Sequence, residues 1–394
     1  MTYVGAIVAA LLLSLATARA EDARATPEPY QLVRRLQSLQ DEIARGNLEA
    51  HNAQPALLKR LGEKLQEADA SVWNDPRNGR AVVTFLLSGG PPQVVRTLRG
   101  KVKPNIDEAI LDGALAYVEG QSDDAKTRLA GINARALPPA FGAQIALVQS
   151  ALLAQSDLKA TIERLDEARL LLPGTLVEEA ALRREIFITG QVDDFDKFES
   201  LAIQYFRRYR HSIYAGNFRQ RFALAVARFS FAQQTHRFAR LVAILDHLDR
   251  PSQRTLYLLI ARTALVHGKI DMADLAAERV EELAEEGSAE RERARFYRAS
   301  VRSLMKSNAE AVSDLQKIDK GRLPQRDAEL LAAALAVGRN VRKALPAIST
   351  PPERPRDEQT AMRPRIDFDT SLATLGRAEQ LLKESNEQAK ETNR

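Results

Sequence analysis

"RTLYLLIARTALVHGKIDMADLAAERVEELAEEG", residues 254–287, is two helical patterns joined at one glycine. On both sides of Gly268 apolar residues recur three and four apart, the period of a helix rather than the alternation of a strand. Set against the tetratricopeptide pattern, the large-residue position falls on Tyr257. The tightly packed positions fall on Ile260 and Ala261, and the close-approach position of the second helix on Ala273. That pattern is steric. Where two helix backbones come close only a small residue fits, and large residues fill the flanks. One such hairpin cannot bury its apolar faces alone and needs neighbours of the same kind.

Neighbours are present at a regular beat. Gly120 ends "EAILDGALAYVEG", Gln155-Ser156 separates two apolar-periodic runs, Gly190 ends "EEAALRREIFITG", and Lys306-Ser307-Asn308 splits another pair. Residues 142–175 fit the same pattern in their second helix through Leu165, Ala168 and Pro173. The remaining units match less well. The chain reads as all-α: an α-solenoid of degenerate tetratricopeptide-like hairpins, spanning 76–344. Residues 21–75 form a helical pair that caps it, with a stripe of Leu32, Leu36, Leu39 and Ile43 and the single tryptophan, Trp73, at the end. Residues 345–366 carry five prolines and read as a flexible linker; 367–394 read as an amphipathic C-terminal helix with Leu372, Leu375, Leu381 and Leu382 on one face.

The first residues bear on compartment. "VGAIVAALLLSLATA", Val4–Ala18, is too short for a stable span and leads to Ala18-Arg19-Ala20. That is the layout of a signal peptide, 1–20, cut between Ala20 and Glu21, although its n-region lacks a basic side chain. No later run approaches a membrane span, so the expected product is exported, with no span in the mature chain. With no cysteine, its stability rests on core burial and not on disulfides. The net charge of +5 is small against 57 basic and 52 acidic residues. Both signs are interspersed, which argues against a nucleic-acid footprint.

Catalytic signatures are missing. The sequence has no G-x-S-x-G, no P-loop, no H-E-x-x-H and no cysteine nucleophile. Its five histidines, His51, His211, His236, His247 and His267, are never three or four apart, the spacing a helical metal site needs. The acidic run "QVDDFDKFE" lacks the glycine and terminal glutamate of a calcium loop and reads as a helix N-cap with first-turn acids. A lysozyme-like domain, as some solenoid-bearing periplasmic transglycosylases carry, has no room after the repeats. The expectation is a non-enzyme with no cofactor, no metal and no small-molecule substrate.

One patch stands out. "YFRRYRHSIYAGNFRQRF", 205–222, holds six aromatics and five arginines. Tyr205 and Tyr209, like Phe218 and Phe222, are four apart and share a helix face. Ser212 reads as an N-cap and Gly216 as a point of helix approach. The patch is either a joint whose aromatics fill a corner, or a surface that grips a partner through Tyr214, Phe218, Arg219 and Arg221.

Three segments, "PYQLVRRLQSLQDEIARGNLEAHNAQ" (29–54), "VWNDPRNGRAVVTFLLSGG" (72–90) and "HSIYAGNFRQRFA" (211–223), resemble the MotC family of periplasmic motility proteins of rhizobia and related alphaproteobacteria. The resemblance runs over nearly the whole chain. It implies a non-enzymatic scaffold required for flagellar rotation, whose partner is the periplasmic region of the stator B subunit, MotB, which it would position or stabilise. The residues alone leave an alternative, a general periplasmic peptidoglycan-binding or assembly module.

Overall fold

The computed structural model describes residues 27–229, 235–305 and 309–342. The expected signal segment with Ala20 and Glu21, the 345–366 linker and the 367–394 helix lie outside them. The chain divides after Lys343, and Ala344–Arg394 falls wholly outside the described part.

Among the described residues the chain is helical, with no strand. The helices are α1 (Pro29–Ala44), α2 (Leu48–Glu67), α3 (Pro76–Leu87), α4 (Pro92–Arg99), α5 (Glu108–Val118), α6 (Ser122–Leu129), α7 (Pro139–Leu153), α8 (Leu158–Leu171) and α9 (Leu176–Gln191). They continue as α10 (Phe195–Arg208), α11 (Ala215–Val226), α12 (Thr235–Leu245), α13 (Arg250–Val266), α14 (Ile270–Leu283), α15 (Ala289–Met305), α16 (Ala309–Lys317) and α17 (Gln325–Arg342).

The segment 254–287 forms the α13–α14 hairpin. Asp249 caps its start, accepting from the Ser252 N–H at 2.7 Å, and Pro251 sits in the first turn. Tyr257, Ile260, Ala261 and Ala273 are all inaccessible. The residues read as packing positions are thus in the core, and the two helices pack on each other. Leu165 and Ala168 of α8 are likewise buried.

The odd-numbered helices form a row: α1 packs on α3, α3 on α5 and α7, and from α7 onward each packs on the next odd helix through α17. Along this row most even helices lie beside a neighbouring odd helix, α2 also packing on α4, while α12 packs on α10. This is the neighbour-to-neighbour logic of a helical stack. Charged pins cross the row. Asp327 of α17, 1% exposed, accepts from Arg293 Nε at 2.7 Å and from the Tyr297 hydroxyl at 2.8 Å, both on α15, and pairs with Arg262 Nε of α13 at 3.2 Å.

The N-terminal pair does more than cap. α1 also packs against α9, more than 130 residues on. Of its expected stripe, Leu36 and Ile43 are buried while Leu32 and Leu39 are half-buried, because the buried face is centred on Val33. Trp73 is buried in a 3-10 turn, Ala70–Asn74, that leads into α3.

Candidate functional site

The patch 205–222 folds as the end of α10, a turn and α11. Asp194 starts α10 by accepting from the Lys197 N–H at 3.0 Å. Arg207 and Arg208 occupy the last turn, where cations suit the exposed carbonyls. The chain leaves the helix at Tyr209, whose N–H closes on the Tyr205 carbonyl at 2.7 Å.

Two local expectations are corrected here. Ser212 does not cap α11. Tyr214 holds that position without a side-chain cap, while the Ser212 hydroxyl accepts from the Tyr214 N–H and donates to Glu179, both at 3.1 Å. Gly216 has open space around it and serves no close approach. The glycine that does is Gly190, read from sequence as a helix stop but placed in the last turn of α9. A Cβ there would lie 2.8 Å from Cα of Ala225, so α9 and α11 touch backbone to backbone.

The aromatics fill the corner. The Tyr205 ring stacks on Phe218 with centroids 3.5 Å apart and planes at 3°. Phe206 meets Phe218 and Phe222 edge-on, each at 5.5 Å, and Phe198 lies 4.9 Å from Phe222. Phe198, Tyr205, Phe218 and Phe222 have no more than 1% exposure.

Beneath the rings are two carboxylates that sequence reasoning missed. Glu178 and Glu179, in the first turn of α9, are 1% and 0% exposed. Glu179 accepts from the Tyr205 hydroxyl at 2.8 Å, Arg183 Nε at 3.0 Å and Ser212 Oγ at 3.1 Å. Glu178 accepts from Arg208 Nη1 at 2.8 Å, from the Tyr209 hydroxyl, from Gln204 and from the Gly174 N–H. Burial, and then the Glu179 charge, push the Tyr205 phenol far up; burial and the bond to Glu178 do the same for Tyr209. Both hydroxyls therefore remain donors, and each carboxylate is held by at least three donors. They brace the joint rather than present a reactive group. The available signal was Thr175-x-x-Glu178, a capping-box spacing that marks a helix start.

The N-terminal pair docks on the same turn. Asp41 accepts from the Leu176 N–H at 3.3 Å, and the Ile213 N–H reaches the Ile43 carbonyl at 3.4 Å. Gly46, at φ 99°, lies so close that a Cβ would be 2.3 Å from the His211 carbonyl oxygen. His51 meets the Tyr214 ring edge-on at 5.9 Å, and the Arg183 guanidinium lies 4.6 Å over it. Asn78 joins from α3: its Oδ1 accepts from the Tyr30 N–H at 3.0 Å and its Nδ2 donates to the Val72 carbonyl at 2.8 Å. The three segments singled out in the sequence, 29–54, 72–90 and 211–223, thus converge on α1 and α2.

The four candidate contact residues separate. Phe218 is a core residue with no face to offer, because the stack on Tyr205 buries it. Tyr214 is half-buried between His51 and Arg183. Arg221 is half-exposed, its Nε on Asn217 at 2.9 Å. Arg219 is half-exposed and makes no ion pair among the described residues. The acids of 193–199 are engaged elsewhere: Asp193 holds Arg237 at 2.6 Å, and Asp196 holds Arg240 at 2.7 Å. Among the described residues no three His, Asp or Glu side chains are grouped to hold a metal ion, and no helix is long and apolar enough to cross a membrane.

The family model described as "Chemotaxis protein MotC" matches residues 1–394. A protein named "Chemotaxis protein MotC" from Rhizobium meliloti (strain 1021) is 33% identical over 370 residues, covering 92% of this chain and 84% of its own. No solved structure matches. With the family matched from end to end and a relative a third identical over most of both chains, the chain belongs to the MotC family of chemotaxis proteins.

Proposed function

We propose that the chain is a non-enzymatic periplasmic scaffold for flagellar rotation, which binds the periplasmic region of the stator B subunit and positions or stabilises it. The observation that carries this reading is family membership over the whole chain, together with a helical stack whose buried acids are committed to structure. Stacked hairpins present extended surfaces suited to protein partners. Export rests on the signal-like leader, with the mature protein beginning at Glu21. Within the aromatic and basic patch the contact falls to Tyr214, Arg219 and Arg221, since Phe218 is buried.

The experiment is a deletion strain complemented with the tagged protein. The expected result is loss of swimming without the protein, recovery with it, and co-purification of the stator B subunit from the periplasmic fraction. Normal swimming in the deletion strain overturns the reading. Binding to bare sacculi without stator protein would favour the peptidoglycan-binding alternative.

A further inference from the structure

The stack divides its charges by row. Among the even helices, α14 alone carries Asp271, Asp274, Glu278, Glu281 and Glu282. Among the odd helices, α7 has no charged residue, and α11 and α13 have arginines but no acid. The three acids of α9, Glu178, Glu179 and Glu185, are all buried. From α7 to α13 the odd helices therefore offer arginines and no exposed carboxylate of their own.

One point of this row is also apolar. Phe187 of α9 is half-buried and lies outside the core clusters, whereas the other described phenylalanines are buried or, for Phe238, packed against a core. Arg228, exposed just past the end of α11, places its guanidinium 5.2 Å over the Phe187 ring. Arg184, one turn before Phe187 on the same face, reaches α7 by donating Nη1 to the Leu147 carbonyl at 3.0 Å. Leu224, one turn before Arg228, is half-buried and also outside the core clusters. Neither Arg184 nor Arg228 makes an ion pair among the described residues.

We propose that this strip across α7, α9 and α11 docks an acidic, amphipathic polypeptide segment of a partner. The segment's apolar side chains cover Phe187 and Leu224, and its carboxylates pair with Arg184 and Arg228. The strip lies at the far end of α11 from Tyr214, and it stands whether or not the stator is that partner. A guanidinium offers a planar fork of donors that suits a carboxylate. Held over a ring, it keeps that charge while shielding part of an apolar surface. With no exposed acid on these helices to pair them, the arginines attract carboxylates from outside, which sets orientation and capture. The apolar centre supplies the anchor, and it selects a segment with apolar side chains over a bare polyanion.

The test is fluorescence polarisation of the full chain with a labelled synthetic peptide whose leucines recur three and four apart among glutamates. Two control peptides carry lysines for the glutamates or serines for the leucines. The expected result is saturable binding of the first peptide, weakened about tenfold or more in either control. Arg228→Glu and Phe187→Ser should each weaken it about tenfold, Arg228→Glu with the melting temperature unchanged. Arg326→Glu, exposed on α17, should bind as the parent does. No binding of the leucine and glutamate peptide by the parent protein overturns the proposal. Parent-like binding by the Arg228→Glu protein, or undiminished binding of the serine peptide, does so too. Should Phe187→Ser fail to fold, the surface substitution at Arg228 and the serine peptide decide.

Discussion

The Tyr205 hydroxyl donates to the Glu179 carboxylate across 2.8 Å, and the two residues are 1% and 0% exposed. A carboxylate taken out of water is tolerated only when donors replace its hydration. Tyr205→Phe keeps the ring stack on Phe218 but deletes one of Glu179's three donors. It should cost about 1–3 kcal/mol, read as a lower urea midpoint at unchanged m-value. A midpoint equal to the parent's would mean that the bond carries no weight in holding α10 on α9.

Two glycines within this region should respond with opposite sign. Gly46 has φ 99° and the His211 carbonyl where a Cβ would go, whereas Gly216 lies in the first turn of α11 with open space around it. Gly46→Ala should cost at least about 1–3 kcal/mol and speed proteolysis between the N-terminal pair and the rest. Gly216→Ala should be neutral or stabilise by about 0.5–1 kcal/mol. Thermal melting of the two variants side by side checks both. Equal melting temperatures would show that α1 and α2 do not dock on the 211–214 turn.

The contrast shows what periodicity conveys. The burial of Tyr257, Ala261 and Ala273 was legible because helical periodicity is local: spacing alone marks the residues that share an apolar face. The docking of Gly46 on His211 joins positions far apart in the chain, and no local pattern encodes which distant turn a helix pair will touch. Gly190 reads as a stop because glycine commonly ends helices; its actual task, closeness to Ala225, belongs to a different helix. Glu178 and Glu179 carry no signal of burial in their own stretch of sequence. Their burial depends on donors from residues 204–212, which a window on α9 does not contain. For Phe218, the helical spacing placed the ring on a face without saying that the face was covered.

A second buried acid gives a pH signature. Glu185 is 0% exposed and pairs with Arg169 at 2.9 Å and Lys197 at 3.0 Å. Burial outweighs these cations and the carboxyl is pushed up to about 7. The sign follows from linkage: between the ordinary glutamate value and about 7 the native state binds a proton that the unfolded chain has released. The contribution of this residue to stability is therefore present in acid and is lost as pH rises through that window, by up to about 3 kcal/mol. Glu185→Gln should flatten this component. Urea melts of both proteins at several pH values from 4.5 to 7.5 measure it, and parallel curves for the two would place the titration elsewhere.

The aromatic and basic patch should divide by residue type. Phe222 is inaccessible and packed by Phe198, Phe206 and Phe218. Phe222→Ala should cost about 3–5 kcal/mol, the range for a phenylalanine deleted from a packed core. Arg219 is half-exposed without an ion pair among the described residues, so Arg219→Ala should cost under about 1 kcal/mol. If α11 meets the stator, Arg219→Ala and Arg221→Ala will keep their melting temperature and shrink the swim-plate radius, as expected of interface arginines. The same strains supply the control, since Phe222→Ala should reduce motility only in proportion to the protein lost. A stable and motile Phe222→Ala protein would refute the joint. Stable, fully motile arginine variants would move the contact surface off α11 and onto another face of the stack.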